Sequence, residues 1–315
     1  MVGTVRVLRS GPRTTVQDGG RHGYQHIGFG VAGASDERCA RLANHLVGNG
    51  PDAAILESTI QGPRLQFTGS AQLSVVGCDP AITVNGVVTD GNCTLTLAPG
   101  DVVDVARTGG ARAYIGIRGG VSVPLALNSR STDLVAGFGG HHGRPIQQGD
   151  EFDIALADPI RRRGIREPWR PVRRVSIEVR CVLGPEAELF TDREHEVFIT
   201  SPYLVHHDSN SMGLRLDGSV VASPRHILSE GQPAGSVQIP PGGQPIVLLP
   251  ARQTLGGYPK IAVVVRPDLS MLAQALPGDT VNFTRIEIEN ATALTRRWLR
   301  DLTTAATVTD MLEAG

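Results

Sequence analysis

Of the 30 residues that are Lys or Arg, one alone is a lysine, Lys260. It closes the stretch Arg252-Gln253-Thr254-Leu255-Gly256-Gly257-Tyr258-Pro259-Lys260. An ammonium is a compact point charge, suited to developing negative charge where a planar guanidinium does not fit. Gly256 and Gly257 allow positive φ and a close backbone approach to a ligand, and Pro259 stiffens the exit. Arg252, Gln253, Thr254 and Tyr258 supply donors and acceptors. The stretch reads as a binding loop with Lys260 as its catalytic cation. The alternative, a lone surface lysine in an arginine-biased chain, stays open at this level.

A second group lies near the amino terminus. Gln17 and Asp18 precede the segment Ser35 to Leu46, in which Cys39, Leu42, Ala43 and Leu46 recur at three and four residues, so the spacing predicts a helix that ends near Gly48. Ser35 or Asp36 can cap that helix. Its N-terminal end then gathers amides and carboxylates where backbone N–H groups favour anions. Asp18 and Asp36 are the acid/base candidates, with Gln17 and Asn44 as amides that orient a substrate. Turn and cap duties account for the same two aspartates. A third, glycine-rich group runs from Arg118-Gly119-Gly120 through Ser129-Arg130-Ser131-Thr132 to Gly143-Arg144. Arg130 and Arg144 can each clamp a carboxylate or stabilise a turn. The doublets His141-His142 and His206-His207 invite a metal reading, but adjacent side chains are expected to point apart and no zinc-type spacing accompanies them, so no metal site is expected.

The elements that hold these groups are mainly strands. Short alternating segments such as Val5–Leu8, Ala71–Val76 and Cys93–Leu97 are punctuated by Gly, Pro, Asn and Asp. Asn85-Gly86 between two β-branched runs predicts a hairpin with a type I′ turn. Strands recur over Val175–Val179, Gly235–Ile239, Ile246–Leu249 and Ile261–Val265. The expected fold is mostly β with a few helices in two β-rich lobes. An amino-terminal lobe covers 1–155, a Pro- and Arg-rich linker 156–174, a second lobe 175–290 and a helical tail 291–315. With 315 residues, 40% of them hydrophobic, the chain is long enough for two cores. A net charge of −1 provides no field to draw in nucleic acid or an anionic membrane. Cys39, Cys78, Cys93 and Cys181 show no close pairing and no secretory apolar core opens the sequence, so the expected compartment is the cytoplasm. Walker A, dinucleotide and nucleophile-elbow motifs are absent, as is a biotin-attachment Met-Lys, so any nucleotide is expected to be held by another polypeptide.

Several motifs carry a family resemblance. Thr14-Thr15-Val16-Gln17-Asp18, Gly33-Ala34-Ser35-Asp36, Ala43-Asn44, Arg118-Gly119-Gly120, Ser129-Arg130-Ser131-Thr132, Met212-Gly213, Gly243-Gln244-Pro245-Ile246 and Arg252-Gln253-Thr254-x-Gly256-Gly257-Tyr258-Pro259 resemble, in this order, the biotin-dependent carboxyltransferase family typified by allophanate hydrolase subunit 2. That family includes the C-type subunit of 5-oxoprolinase and a Kip-inhibitor antagonist. The resemblance implies two cyclophilin-like β-barrel lobes and a subunit of an ATP-dependent 5-oxoprolinase that opens 5-oxoproline to glutamate. It implies an allophanate hydrolase subunit 1-like partner, which corresponds to the B-type subunit of 5-oxoprolinase, and a LamB/YcsF-like A-type subunit. No cofactor is expected on this chain alone, with ATP used by the assembled complex. A carboxyltransferase of urea-type amide metabolism that receives carboxybiotin, or a non-catalytic antagonist of a kinase inhibitor, are the alternatives. Ser211 and Ala251 depart from the Arg and Asp that family members often carry there.

Overall fold

The computed structural model describes residues 3–154, 157–224 and 227–305. The chain forms two compact units, one of 1–22, 32–173 and 301–315, the other of 23–31 and 174–300. The fold is mostly β, as the alternating segments predict.

The first unit is built of two sheets. One runs Glu151–Ile154, Gly3–Arg9, Arg64–Phe67, Val102–Arg107, Ala81–Val84, Val87–Thr89, and the other Arg13–Gln17, Ile55–Thr59, Arg112–Ile117, Ala71–Gly77, Thr94–Leu97. One core takes side chains from both, among them Val5, Phe67 and Val103 from the first and Leu56, Val75 and Ile115 from the second. The expected hairpin forms: Val84 pairs with Val87, and Asn85 and Gly86 take φ of 52° and 83°, both positive as a type I′ turn requires. Helix α1 (Glu37–Leu46) is capped by Asp36, whose carboxylate accepts from Cys39 N at 3.0 Å. Its apolar face lies on the strand Arg112–Ile117, which is buried along its whole length because the core covers one side and α1 the other. Gly116 makes that approach possible, since a Cβ there would stand 2.6 Å from the carbonyl oxygen of Ala43.

The segment expected as a linker lies along this unit. Ile160 N donates to Gln72 Oε1, Arg163 N to Thr94 Oγ1 and Arg163 Nη1 to the carbonyl of His45, so its polar groups are committed to sheet and helix ends. Arg144, one of the two expected clamps, grips Asp150 with both terminal nitrogens at 2.7 and 2.9 Å. These bonds, with one from Gln147 N, hold the Asp150 carboxyl well below the usual carboxylate range. A depressed folded value gives stability that is complete above about pH 4, the ordinary carboxylate value, and is lost as the pH falls through the folded value. Asp150→Asn should therefore melt below the wild type at neutral pH, with the gap closing in acid. A gap that stays constant from neutral to strongly acidic pH would contradict this account.

In the second unit Ser176–Leu183, Lys260–Val264, Ser236–Gln238, Ile246–Leu248, Gly213–Gly218, Tyr203–Val205 and Thr280–Arg285 close into a barrel. Closure depends on a parallel pairing of Ser176–Cys181 with Thr280–Arg285. Val179, Leu216, Val237, Val247 and Phe283 fill the interior. Helix α2 (Asp192–Thr200) opens with a capping box of Thr191 and Glu194, and α3 (Arg266–Leu272) starts with Pro267 in its first turn. Asp268 of α3 takes both Arg180 Nε and Nη2, tying the helix to the barrel. Helix α4 (Ile288–Leu302) realises the start of the expected helical tail, and 306–315 lie outside the described residues. All four cysteines are buried and none is joined in a disulfide. Among the described residues no helix is long and apolar enough to cross a membrane.

Candidate functional site

In the first unit the sequence-predicted residues are held by structural bonds. Asp18 accepts from Gly20 N at 2.8 Å, Ser129 Oγ at 2.7 Å, Ser131 Oγ at 2.5 Å and Arg130 N at 2.5 Å. Four donors occupy the lone pairs that a general base would need. Arg130, the other expected clamp, gives its Nε to the carbonyl of Val123. Asp36 serves as the helix cap, and its own N–H donates to Tyr114 Oη, which donates in turn to Glu57. Glu57 also receives Ser35 N and Oγ, and Arg112 Nε stands 3.6 Å away. Burial is the largest cause that pushes the Tyr114 phenol up, which keeps it a hydrogen-bond donor. Asn44 bridges the carbonyls of Pro51 and Ala53 and accepts from Asn49. Gln17 donates to Thr15 Oγ1 and the Thr132 carbonyl, while its buried Oε1 has no hydrogen-bond partner among the described residues. Of the four, Gln17 alone keeps a polar atom uncommitted.

The 252–260 stretch differs from the expected loop in three ways. Lys260 is the first residue of a barrel strand and its side chain is 1% exposed. Its Nζ lies 3.0 Å from Glu186 Oε2 and is hydrogen-bonded to Glu230. Glu186 also accepts the Lys260 backbone N–H at 3.0 Å. The ammonium holds the Glu230 carboxyl below its ordinary value, chiefly through their hydrogen bond. Second, neither Gly256 nor Gly257 takes a positive φ. Their value is close approach: a Cβ at Gly256 would meet Gln238 Nε2 at 3.1 Å and Gln232 Nε2 at 3.2 Å, and one at Gly257 the Ile227 carbonyl oxygen at 3.0 Å. Third, Leu255–Gly256 pairs with Glu230–Gly231 as a two-stranded ladder, which sets Glu230 over the lysine.

Beside this ladder lies a cleft of about 420 Å³, whose walls include Gln25, His26, Gln232, Arg252, Thr254 and Leu255. The cation of this cleft is Arg252. Its guanidinium gives Nε to the carbonyl of Gln232 and Nη1 to that of Pro250, and burial lowers its pKa. Among the described residues no carboxylate pairs with it and Nη2 has no partner. A buried, uncompensated guanidinium in an open cleft favours an anionic group on whatever enters. Gln232 links cleft and barrel, donating to the carbonyls of Glu230 and Gly256 and accepting from Gln238 Nε2 at 3.0 Å. Gln253 and Tyr258 are exposed. The structure thus brings Arg252 and Thr254 to one cleft, with Lys260 behind the ladder. Sequence reasoning missed Gln25, His26, Glu186, Glu230 and Gln232. A local signal exists for Gln232 alone, in the turn-forming run Gly231-Gln232-Pro233; the two glutamates reach Lys260 from 74 and 30 residues away.

The family described as carboxyltransferase domain, subdomain A and B, matches residues 27–285. The chain belongs to this family. Its relatives include the C-type 5-oxoprolinase subunit of Escherichia coli, to which it is 36% identical over 91% of this chain and 93% of that one. The urea amidolyase of Lachancea kluyveri is 31% identical over 91% of this chain but 17% of its own length. Among solved structures, the K. lactis urea amidolyase superposes on 99% of this chain with a TM-score of 0.90 and 28% identity; the chain spans 20% of that protein. As a carboxyltransferase-domain protein, the chain keeps its matched span across both compact units.

Proposed function

We propose that this chain is the C-type subunit of an ATP-dependent 5-oxoprolinase, which opens the lactam of 5-oxoproline to glutamate as ATP is cleaved. The observation that carries the reading is the match, at 36% identity, to 93% of a C-type 5-oxoprolinase subunit. The cleft chemistry supports it, because 5-oxoproline carries a carboxylate that Arg252 can hold and an amide that Thr254 and Gln232 can address. Amide resonance resists water, so the lactam carbonyl must first become electrophilic by phosphorylation or polarisation of its oxygen. Water then adds at that carbon and gives up a proton, the C–N bond breaks as the nitrogen takes a proton to become the amine of glutamate, and a phosphoryl group carried on the oxygen leaves as inorganic phosphate. In this reading Arg252 holds the substrate carboxylate while backbone N–H groups near Gly256 and Gly257 meet the developing negative charge. Lys260 sets the field behind them through Glu186 and Glu230. Gln253 and Tyr258 lie at the rim, and Gln17, Asn44, Asp18 and Asp36 support the first unit.

The reading assigns ATP to the assembled complex and gives the chain two partners in the cytoplasm. One is a B-type protein that resembles allophanate hydrolase subunit 1, the other a LamB/YcsF-like A-type protein. A second reading draws on the urea amidolyase likeness, in which the same cleft takes a carboxyl group from carboxybiotin. No finding favours a non-catalytic antagonist of a kinase inhibitor. The test is 5-oxoproline-dependent ATP hydrolysis, measured for the chain alone and with its two candidate partners. The expected result is no turnover alone and turnover on mixing. Robust activity from the isolated chain would sink the multi-subunit reading. Urea-dependent carboxyl transfer with a biotin carboxylase, and none with 5-oxoproline, would select the second.

A further inference from the structure

The two histidine doublets were expected to point apart, as neighbours on a strand do. Both lie beyond strand ends, where alternation is lost, and their rings come together, with centroids 4.4 Å apart for His141-His142 and 4.0 Å for His206-His207. The surroundings differ in charge. The carboxylate near His141 is Asp150, already taken by Arg144. His206 and His207 face Asp208 and Asp217, and among the described residues no arginine or lysine pairs with either carboxylate.

We propose that His206, His207 and Asp208 form a binding site for a divalent transition-metal ion of the zinc type. Ligand atoms of the three residues all lie within 4.8 Å of one another. His206 Nδ1 stands 3.6 Å from Asp208 Oδ2, and His207 Nε2 3.5 Å from Asp208 Oδ1. An ion with bonds of about 2.0–2.1 Å in tetrahedral geometry sets its ligands about 3.3 Å apart, so these gaps need little adjustment. Asp208 N donates to His206 Nδ1 at 3.1 Å, which requires a lone pair on that nitrogen and places the ring proton on Nε2; an ion at Nδ1 takes that lone pair in place of the Asp208 N–H, which turns to water. Asp217 Oδ2 lies 3.8 Å from that Nε2, beyond a hydrogen bond but within a small side-chain turn of the place from which a carboxylate orients a metal-bound imidazole. Two imidazoles and one carboxylate suit zinc, cobalt, nickel or copper, whereas magnesium and calcium favour all-oxygen sets. Exposure of all but His206 leaves the fourth position to water. The site joins the barrel strands Tyr203–Val205 and Gly213–Gly218, and the inference rests on no reading of the enzyme's activity.

The test is Zn²⁺ titration of the purified chain by calorimetry, with Co²⁺ as a visible-absorption probe of coordination. One ion per chain is expected. His206→Ala, His207→Ala or Asp208→Asn should weaken binding about tenfold or more, and Asp217→Asn about 10- to 100-fold, the range for loss of a partner behind a ligand. His141→Ala/His142→Ala should leave the affinity unchanged. His207, Asp208 and Asp217 are exposed and His206 half-buried, so variants at these four positions should melt with the wild type, and Co²⁺ spectra report on the site even where affinities converge. Absence of saturable Zn²⁺ binding by the wild type overturns the proposal. So does binding that survives His206→Ala/His207→Ala, or that disappears with the 141–142 pair.

Discussion

Lys260→Met is expected to destabilise the second unit by roughly 3–5 kcal/mol, the cost of breaking a buried ion pair by removing one partner. The cost falls on Glu186, whose side chain is 13% exposed, more than on Glu230, which at 45% can turn to water. Under the proposed 5-oxoprolinase function, turnover of the reconstituted complex should fall about 10²-fold or more, the scale for losing one preorganised charge near a developing anion. Two effects then share one substitution, and a rescue separates them. Lys260→Met/Glu186→Gln/Glu230→Gln removes the stranded charges together with the cation, so its denaturant midpoint should return toward the wild type. If the ammonium contributes its field to the chemistry, turnover stays low in this rescued protein. Recovery of full turnover would assign Lys260 to the fold alone.

Asp18→Ala should cost about 3 kcal/mol or more, since hydrogen bonds to a charged group contribute about 1.5–3 kcal/mol each and four donors lose their acceptor. Partial exposure of the site lets water replace some of them. Asp18→Asn should fare little better, because an amide turns a donor toward at least one of Gly20 N, Arg130 N and the two serine hydroxyls. Amide exchange across 129–131 should speed up in both variants, and any loss of turnover should follow the loss of that order. An Asp18→Asn protein with unchanged unfolding and exchange but no turnover would restore the carboxylate to an acid/base role.

The parts of this structure legible in the sequence are those governed by neighbours along the chain. Apolar positions three and four apart gave α1 its face, Asp36 its start, and Asn85-Gly86 a turn whose handedness follows from two residues that tolerate positive φ. Alternation marked four of the seven barrel strands, three of them within a residue at each end, while Ser176–Leu183 runs past the expected Val179 and Tyr203–Val205, Gly213–Gly218 and Thr280–Arg285 were not marked. What escaped depends on distant pairing. Nothing near Lys260 announces Glu186 and Glu230, and an arginine-rich composition hides the fact that this lysine is interior. Gly256 and Gly257 illustrate a finer limit, for a glycine pair serves positive φ and close packing equally well, and only the neighbours Gln232, Gln238 and Ile227 decide between them. The candidate cleft was half visible: Arg252 and Thr254 were named, but the walls from 25–26 and 231–234 reach it through the fold.

Burial of the one lysine reaches beyond catalysis into how the folded chain meets other chemistry. Its surface presents guanidinium groups and no ε-amine, so acyl donors, aldehydes and ubiquitin-conjugating machinery find no lysine to modify while the barrel stays closed. Amine-directed cross-linkers are left with the α-amino group as their one anchor on the folded chain. The same residue becomes a reporter when the barrel opens. Isotopic labelling of lysine yields a single ammonium resonance with no other lysine beneath it, and its exposure to solvent clocks the opening of the second unit.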